Sequence, residues 1–265
     1  MKYLTVKNRA ILREMVATDF KIRYQGSALG YLWSILKPLL LFAVLYILFT
    51  YIAPIGQGVE HYGVSLLIGI VFWNFFAETT MVGASSVVAH GDLIRKVSIP
   101  RYLVVIASSV SALINLFLSL IVVFIFALVN GVMPQPSWLL LPLVIVELFL
   151  LSISIAFILA TAYVKFRDVT YIWEVALQVG FYASAIIVPM SVVPSQLHDW
   201  FFMNPIVQIV QDARLLLIQA SSNITIWNTV DSPLVRAVPF MMIIVLGVIG
   251  YLYFRARSKY FAEDI

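Results

Sequence analysis

Residues 7–38 read KNRAILREMVATDFKIRYQGSALGYLWSILKP. A basic, partly amphipathic segment runs straight into a long apolar one, and that order governs how the rest of the chain is read. Ile11, Leu12, Met15 and Val16 recur at helical spacing, which predicts a helix lying in a membrane interface over residues 7–18. From Asp19 to Tyr24 apolar and charged side chains alternate. A continuous helix would set Asp19 and Arg23 among apolar positions, so a bend is expected within 19–29. Lys37 and Pro38 belong to the apolar run itself, and the Lys37 stem lets its ammonium reach back to headgroup depth.

Composition says what surrounds such a chain. Of its 265 residues 62% are hydrophobic and 11% charged, and the mean hydropathy is +1.00. A soluble domain is about 45–50% apolar and about 25% charged. A soluble core of this size could not hide so much apolar surface, so lipid is the solvent for most of the chain. No secretory leader is expected, because a long mixed, polar-rich stretch precedes the first apolar run. The absence of cysteine excludes disulfides, thiol catalysis and cysteine metal sites. His61, His90 and His198 are scattered and suggest no metal site.

Six runs are long enough to cross a bilayer: Gly30–Ala53, Val64–Gly83, Leu103–Val129, Trp138–Ala162, Tyr171–Val193 and Ala237–Phe254. Backbone groups in lipid must be satisfied within each segment, which makes the runs helices. Six crossings put both termini on one side. Of the 17 Lys and Arg residues, all but Arg214 and Arg236 fall on the side of the termini. By the positive-inside bias that side is the cytoplasm. The net charge of +4 is thus read as topology, not as affinity for nucleic acid.

The loops are unequal. Pro54–Gly63 and Asn130–Ser137 are short external turns. Pro194–Arg236 is long, and within it Ile206, Ile209, Val210, Ala213, Leu216 and Leu217 repeat at helical spacing. Pro205 predicts a break between two short helices. The expected arrangement is a re-entrant or interfacial helical pair on the external side; a surface loop with one amphipathic helix is the alternative. On the other side, Ala89–Arg101 reads AHGDLIRKVSIPR. Asp92 is the expected N-cap of a short helix ended by Pro100. Its Leu93, Ile94, Arg95, Lys96 and Val97 either dock a soluble partner or merely anchor topology.

Four stretches resemble one family. DFKIRYQGSALGYLWSILKPLL (19–40) resembles the N-terminal signature of ABC-2-type polysaccharide export permeases, the transmembrane subunits serving O-antigen, teichoic acid and capsule export. SIPRYLVVIASSVSALIN (98–115), KFRDVTYIWEVALQVGFYASAIIVPMSVVP (165–194) and NPIVQIVQDAR (204–214) resemble later parts of the same family, in order. The resemblance implies one all-α domain over 1–265. A cytoplasmic interfacial segment (1–29) would precede six transmembrane helices (30–254), with a re-entrant external pair between spans five and six, and a cytoplasmic tail (255–265) would follow. It also implies a homodimer in the cytoplasmic membrane with two copies of a separate ATPase subunit. A coupling helix after span two, at Asp92–Val97, would sit in that subunit. The glycan would pass between the two permeases, with spans one, two and five around the channel, while its lipid carrier stays in the bilayer. The chain has no G-x-x-x-x-G-K-[ST] phosphate loop, so ATP and Mg would belong to the partner and the chain itself would be no enzyme and need no cofactor.

Site residues follow from charge and aromaticity within the spans. Glu78, Glu147 and Glu174 lie within spans, Glu174 near the cytoplasmic end of the fifth where it could reach water; a charge at the bilayer centre costs about 2.5–3.5 kcal/mol. Each must face protein, water or substrate, or be neutral. Glu147 is either channel lining or a neutral acid bonded to a neighbouring helix. Tyr46, Phe49, Phe76 and Tyr182 are candidate channel lining, on which the C–H faces of sugars stack; interfacial belting is the competing reading of the chain's aromatics. Lys21, Arg23 and Lys37 are candidate contacts for a lipid pyrophosphate or simply anchors to anionic lipid. Ser152, Ala156 and Ala160 have the spacing of close helix packing. Other functions stay in view: an ABC-2 exporter of a lipid or drug, a secondary transporter (though no internal repeat is seen), and a membrane enzyme (though no paired acids or metal site are seen).

Overall fold

The structure is a computed structural model. It describes residues 6–24, 30, 32–53, 55–96, 99–219 and 223–261, with backbone only at 6, 7, 20 and 22–24. The described residues are helical with no strand. The N-terminal helix α1 (Val6–Tyr24) is followed by α2 (Leu32–Ile47), extended by a π-helical turn at Leu48–Ile52. Then come α3 (Tyr62–Ala89), the short α4 (Gly91–Lys96) and α5 (Tyr102–Val129). A 3-10 turn at Pro136–Leu140 leads into α6 (Leu141–Lys165), and α7 is Val169–Ala183. The chain closes with α8 (His198–Phe202), α9 (Pro205–Ile218), α10 (Ile226–Thr229) and α11 (Pro233–Arg257).

Helix α3 is the centre, because it is apolar on every side and a helix without a polar face must be surrounded. It is buried along most of its length and packs on α5 and α6; α6 in turn packs on α11. The buried serines and threonines fit such apolar seams because each bonds its own helix: Thr80, Ser109, Ser111, Ser152 and Thr161 all donate to the carbonyl one turn back. The row Ser152, Ala156 and Ala160 is fully buried. On α11 a Cβ at Gly250 would stand 2.7 Å from the Ser154 carbonyl oxygen, so the α6–α11 approach needs glycine there.

Among the described residues five stretches are long and apolar enough to cross a membrane: Leu32–Ile52, Tyr62–Ala89, Tyr102–Val129, Pro136–Lys165 and Pro233–Arg257. The bent pair Ser195–Phe202 and Pro205–Ile218 makes up to six by the same test. The fifth apolar run departs from expectation. Its helix α7 stops at Ala183 after 15 residues, about 22 Å of rise, short of the roughly 30 Å hydrocarbon core. The backbone then turns irregular, with Ala185 at φ 50°. The N-terminal helix is longer than expected: α1 continues past residue 18 through Tyr24, and the rest of the 19–29 stretch in which a bend is expected, residues 25–29, lies outside the described residues. Its Asp19 is accommodated by a partner on another element, described below. The Arg23 side chain and Val97 lie outside the described residues.

The break at Pro205 is present. α8 and α9 meet at 107°, Asn204 Oδ1 accepts from the Ile206 amide at 3.0 Å, and Pro205 occupies the first helical position, where its missing N–H costs nothing. The amphipathic expectation for α9 is corrected. Gln208, Gln211 and Arg214 are as buried as its apolar residues, because α9 lies against α3, α6, α8 and α11.

The first described helix and the end of the last share one pole of the bundle. Met15 of α1, Ile94 of α4, Phe254 of α11 and Phe261 join one apolar cluster. Asn8 Nδ2 donates to the Tyr102 hydroxyl at 3.5 Å, and Arg101 donates to the Ser258 carbonyl. This pole is called basal here, and the one bearing α8–α10 distal.

Candidate functional site: an aromatic and polar groove with a clasp at each pole

Helices α2, α3 and α7 do not close on one another. Between them lies a cavity of about 490 Å³ whose walls include Trp33 and Lys37 of α2, Asn74 and Glu78 of α3 and Asn115 of α5. A second hollow of about 440 Å³, lined by Trp73, Glu174, Gln178, Phe181 and Tyr182, adjoins it at Asn74 and Leu177. Together they form one groove along α7. Asn115 Nδ2 donates to Glu78 Oε1 at 2.8 Å, which ties α3 to α5 and fixes that acid at the wall. Glu174 is exposed in the groove.

An aromatic ladder backs the groove. Trp173 stands 6.2 Å from Phe76, Phe76 5.5 Å from Trp73, Trp73 5.9 Å from Phe181, and Phe181 5.4 Å from Tyr182. Trp173 Nε1 donates to Thr80 Oγ1 at 2.9 Å and pins the ladder's basal rung. Tyr182, 73% exposed, is its open end, while Phe76 is buried. Phe76 therefore supports the wall and does not form its surface.

The other candidates lie elsewhere. Tyr46 stacks on Phe42 at 5.4 Å, on the side facing α5, and Phe49 packs against the main core; neither lines the groove. Lys37 does. Lys21 is exposed on α1, away from the groove walls. Glu147 faces α9 instead: Gln208 Nε2 stands 3.5 Å from Glu147 Oε2 and donates to Asp212 Oδ2 at 2.6 Å. Asp212 also accepts from Trp227 Nε1 at 3.3 Å. Its position is a seam between helices.

At the basal pole, α4 begins at Gly91, so Asp92 sits in the first turn rather than at the N-cap. There its charge still meets the positive end of the helix. Asp92, Arg95 and Lys96 are exposed, whereas Ile94 is buried in the basal cluster and Leu93 packs beside it. A docking surface on α4 is therefore polar.

His90, at the turn between α3 and α4, joins this platform to α1. Its Nδ1 lies 3.0 Å from the Ser86 carbonyl and its Nε2 3.2 Å from Asp19 Oδ1. Both neighbours only accept, so both ring nitrogens donate and the ring is an imidazolium. The Asp19 hydrogen bond raises the His90 pKa above its ordinary value; burial opposes this, and the Ser86 bond and the Asp19 charge add to it. A raised folded-state pKa stabilises below the unfolded value, near 6.5, and that stabilisation is lost as pH rises through the folded pKa. The clasp between α1 and the α3–α4 turn should thus hold in mild acid and loosen as pH rises through the raised folded-state value, at a cost of about 1 kcal/mol for a partly exposed pair. Hydrogen exchange across α1 should accelerate with pH more than the chemical rate requires, and His90→Gln should remove that excess.

At the distal pole Arg214 does work that no local pattern announces. Its Nε donates to the Ser65 carbonyl at 3.0 Å, Nη1 to Ala185 at 3.0 Å and Nη2 to Ile186 at 2.7 Å. Tyr62 donates to the next carbonyl, Ile187, at 3.0 Å. The unwound backbone beyond α7 thereby regains the partners it lost when the helix stopped. Gly69 leaves room for this: a Cβ there would stand 2.8 Å from Arg214 Nη2.

Named transport proteins align with most of this chain. An O-antigen export system permease protein RfbA of Myxococcus xanthus is 26% identical over 259 residues, 97% of this chain and 96% of that protein. A Klebsiella pneumoniae protein of the same name is 25% identical over 206 residues, covering 77% and 79%. The polysialic acid transport protein KpsM of Escherichia coli is 23% identical over 197 residues, covering 74% and 76%. Residues 12–218, which hold the groove, α4 and Arg214, match the family described as ABC-2 type transporter. A chain whose described residues are helical, with five to six candidate spans among them, and which matches this family over most of its length is a member of it: the protein belongs to the ABC-2 type transporter membrane family.

Proposed function

We propose that the chain is the transmembrane subunit of an ATP-driven exporter of a lipid-linked polysaccharide, with the α2–α3–α7 groove as half of the path. The carrying observation is the groove itself: a long, open, aromatic-backed hollow with Lys37 at its basal part and Tyr182 toward its distal end. Aromatic faces let sugar rings slide without deep wells, and the Lys37 ammonium suits the pyrophosphate of a lipid carrier. The names of the relatives, an O-antigen export permease and a polysialic acid transport protein, support the same substrate class.

Dimerisation is part of the reading. In α7 only Leu177 is buried, while Tyr171, Ile172, Val175, Val179 and Tyr182 are at least 60% exposed. A second copy facing that surface would close two grooves into one channel. Hydrolysis would fall to an ATPase subunit docked on the polar face of α4.

The proposed topology places both termini in the cytoplasm and makes α7 with its unwound tail the fifth crossing, the α8–α9 pair being re-entrant. Reporter fusions at Gly56 and Ser258 should then signal opposite sides; agreement between them removes this topology. The function is tested by deleting the gene in its host. Surface polysaccharide should vanish and return with the wild-type gene, while Lys37→Glu should restore at least tenfold less. Unchanged surface polysaccharide in the deletion strain would refute the proposal.

A further inference from the structure

We propose that the cleft between α1 and α5 is a binding site for an anionic phospholipid, phosphate at Arg9 and Arg13 and one acyl chain along α5. The proposal rests on the placement of α1 at cytoplasmic headgroup depth given above. Arg9 and Arg13 are one turn apart on the same face of α1 and both edge a cleft of about 590 Å³. Its floor is apolar: Leu12, Val16 and Ala17 from α1, Val110 and Ile114 from α5. Among the described residues the ion pairs are His61–Glu60 and His90–Asp19, so neither guanidinium is neutralised there by a carboxylate.

The cleft does not end at α1. Val110 and Ile114 begin a stripe that continues at helical spacing through Phe117, Ile121 and Ile125, which are 51%, 55% and 56% exposed. From Val110 to Ile121 is about 16 Å of helix, close to the depth of one leaflet, about half the 30 Å core. Two forked cations at one end and a bare apolar track of leaflet length at the other match a molecule with a phosphate and a hydrocarbon chain. A soluble anion would use only the arginines and leave the track uncovered. A zwitterionic headgroup carries its own neutralising cation, so a net negative lipid is favoured.

Native mass spectrometry of the full chain, delipidated in detergent and titrated with phosphatidylglycerol or phosphatidylcholine, tests this. Binding in a micelle depends on neither orientation nor transport, so its failure is distinct from failure of the exporter reading. The wild type should retain one phosphatidylglycerol per chain with at least tenfold preference over phosphatidylcholine. R9Q/R13Q should lose the preference, R9K/R13K should keep much of it, and Ala17→Phe, which fills the cleft with both arginines intact, should lose the bound lipid while eluting as the wild type does. Equal retention of the two lipids by the wild type, unchanged selectivity in R9Q/R13Q, or unchanged retention in a correctly eluting Ala17→Phe would each overturn the proposal. So would an R9Q/R13Q variant that keeps its lipid but loses an associated protein subunit, which would make the arginines a protein contact.

Discussion

Arg214→Leu is expected to cost more stability than any other single change considered. Two unwound main-chain carbonyls, at Ala185 and Ile186, would lose their donor at once, and Ser65, whose carbonyl keeps its place in the α3 ladder, would lose a second one. Each buried acceptor left bare costs about 1–3 kcal/mol, partly offset because a buried guanidinium need no longer be desolvated. A net loss of about 3–5 kcal/mol remains. At about 2–4 °C per kcal/mol for a chain of this size, the apparent Tm in detergent should fall by about 10 °C. Arg214→Lys should rescue little, since one ammonium lacks the planar fork that reaches α3 and the 185–186 backbone together. The loss should be localised. Hydrogen exchange should rise first at residues 184–193, before α5 or α6. Uniform exchange across the bundle, or a Tm within 2–3 °C of wild type, would show that the carbonyls find other partners and that the clamp is not what holds the unwound segment.

The second large effect is expected on coupling and not on folding. Arg95→Glu with Lys96→Glu reverses two exposed charges on α4 while leaving buried Ile94 in place. If α4 is the face an ATPase subunit grips, the double variant should insert and elute normally yet lose at least tenfold in co-purified ATPase and in export. Ile94→Asp is the contrasting case. It places a charge in the apolar cluster shared with Met15 and Phe254, so it should lower yield and stability whether or not a partner is present. Normal co-purification with R95E/K96E would remove α4 from the docking surface.

The sequence was most readable where lipid imposes a local rule. Twenty or so contiguous apolar residues are needed to cross, so the first four runs and the last are plain in any window of that length. The Pro205 break was readable because Asn-Pro carries both its cap and its missing donor within two residues. The fifth run misled for the same reason. It is apolar through Val193, but its helix stops at Ala183, and what makes an unwound segment tolerable is Arg214, 28 and 29 residues further along. No window in the sequence contains both. His90 and Asp19 are similar, 71 residues apart. The misfit of Asp19 in its apolar-charged alternation was the visible half of that pair.

Faces were harder to read than spans. The candidates Tyr46, Phe49, Phe76 and Tyr182 lie in the first, second and fifth runs, whose helices α2, α3 and α7 supply walls of the groove. Their positions in the sequence could not separate Tyr182, on the open surface, from Phe76, buried beneath it, because α3 is apolar all round and offers no period by which to orient a side chain. The six-residue α4 posed the same difficulty: too few turns to show that Leu93 and Ile94 face inward. Glu147 read as a lone intramembrane acid, and its environment is set by Gln208 and Asp212 on α9, 61 and 65 residues further along, beyond any local pattern.

The most direct measurement is transport itself. The protein, reconstituted in liposomes with its ATPase subunit and a lipid-linked polysaccharide on the ATPase side, should deliver polymer to the opposite side only while ATP is hydrolysed. Delivery should fall at least tenfold with a non-hydrolysable nucleotide, and likewise with Lys37→Glu. Equal delivery without the ATPase or with the inert nucleotide would contradict the claim that this chain is the membrane half of an ATP-driven polysaccharide exporter.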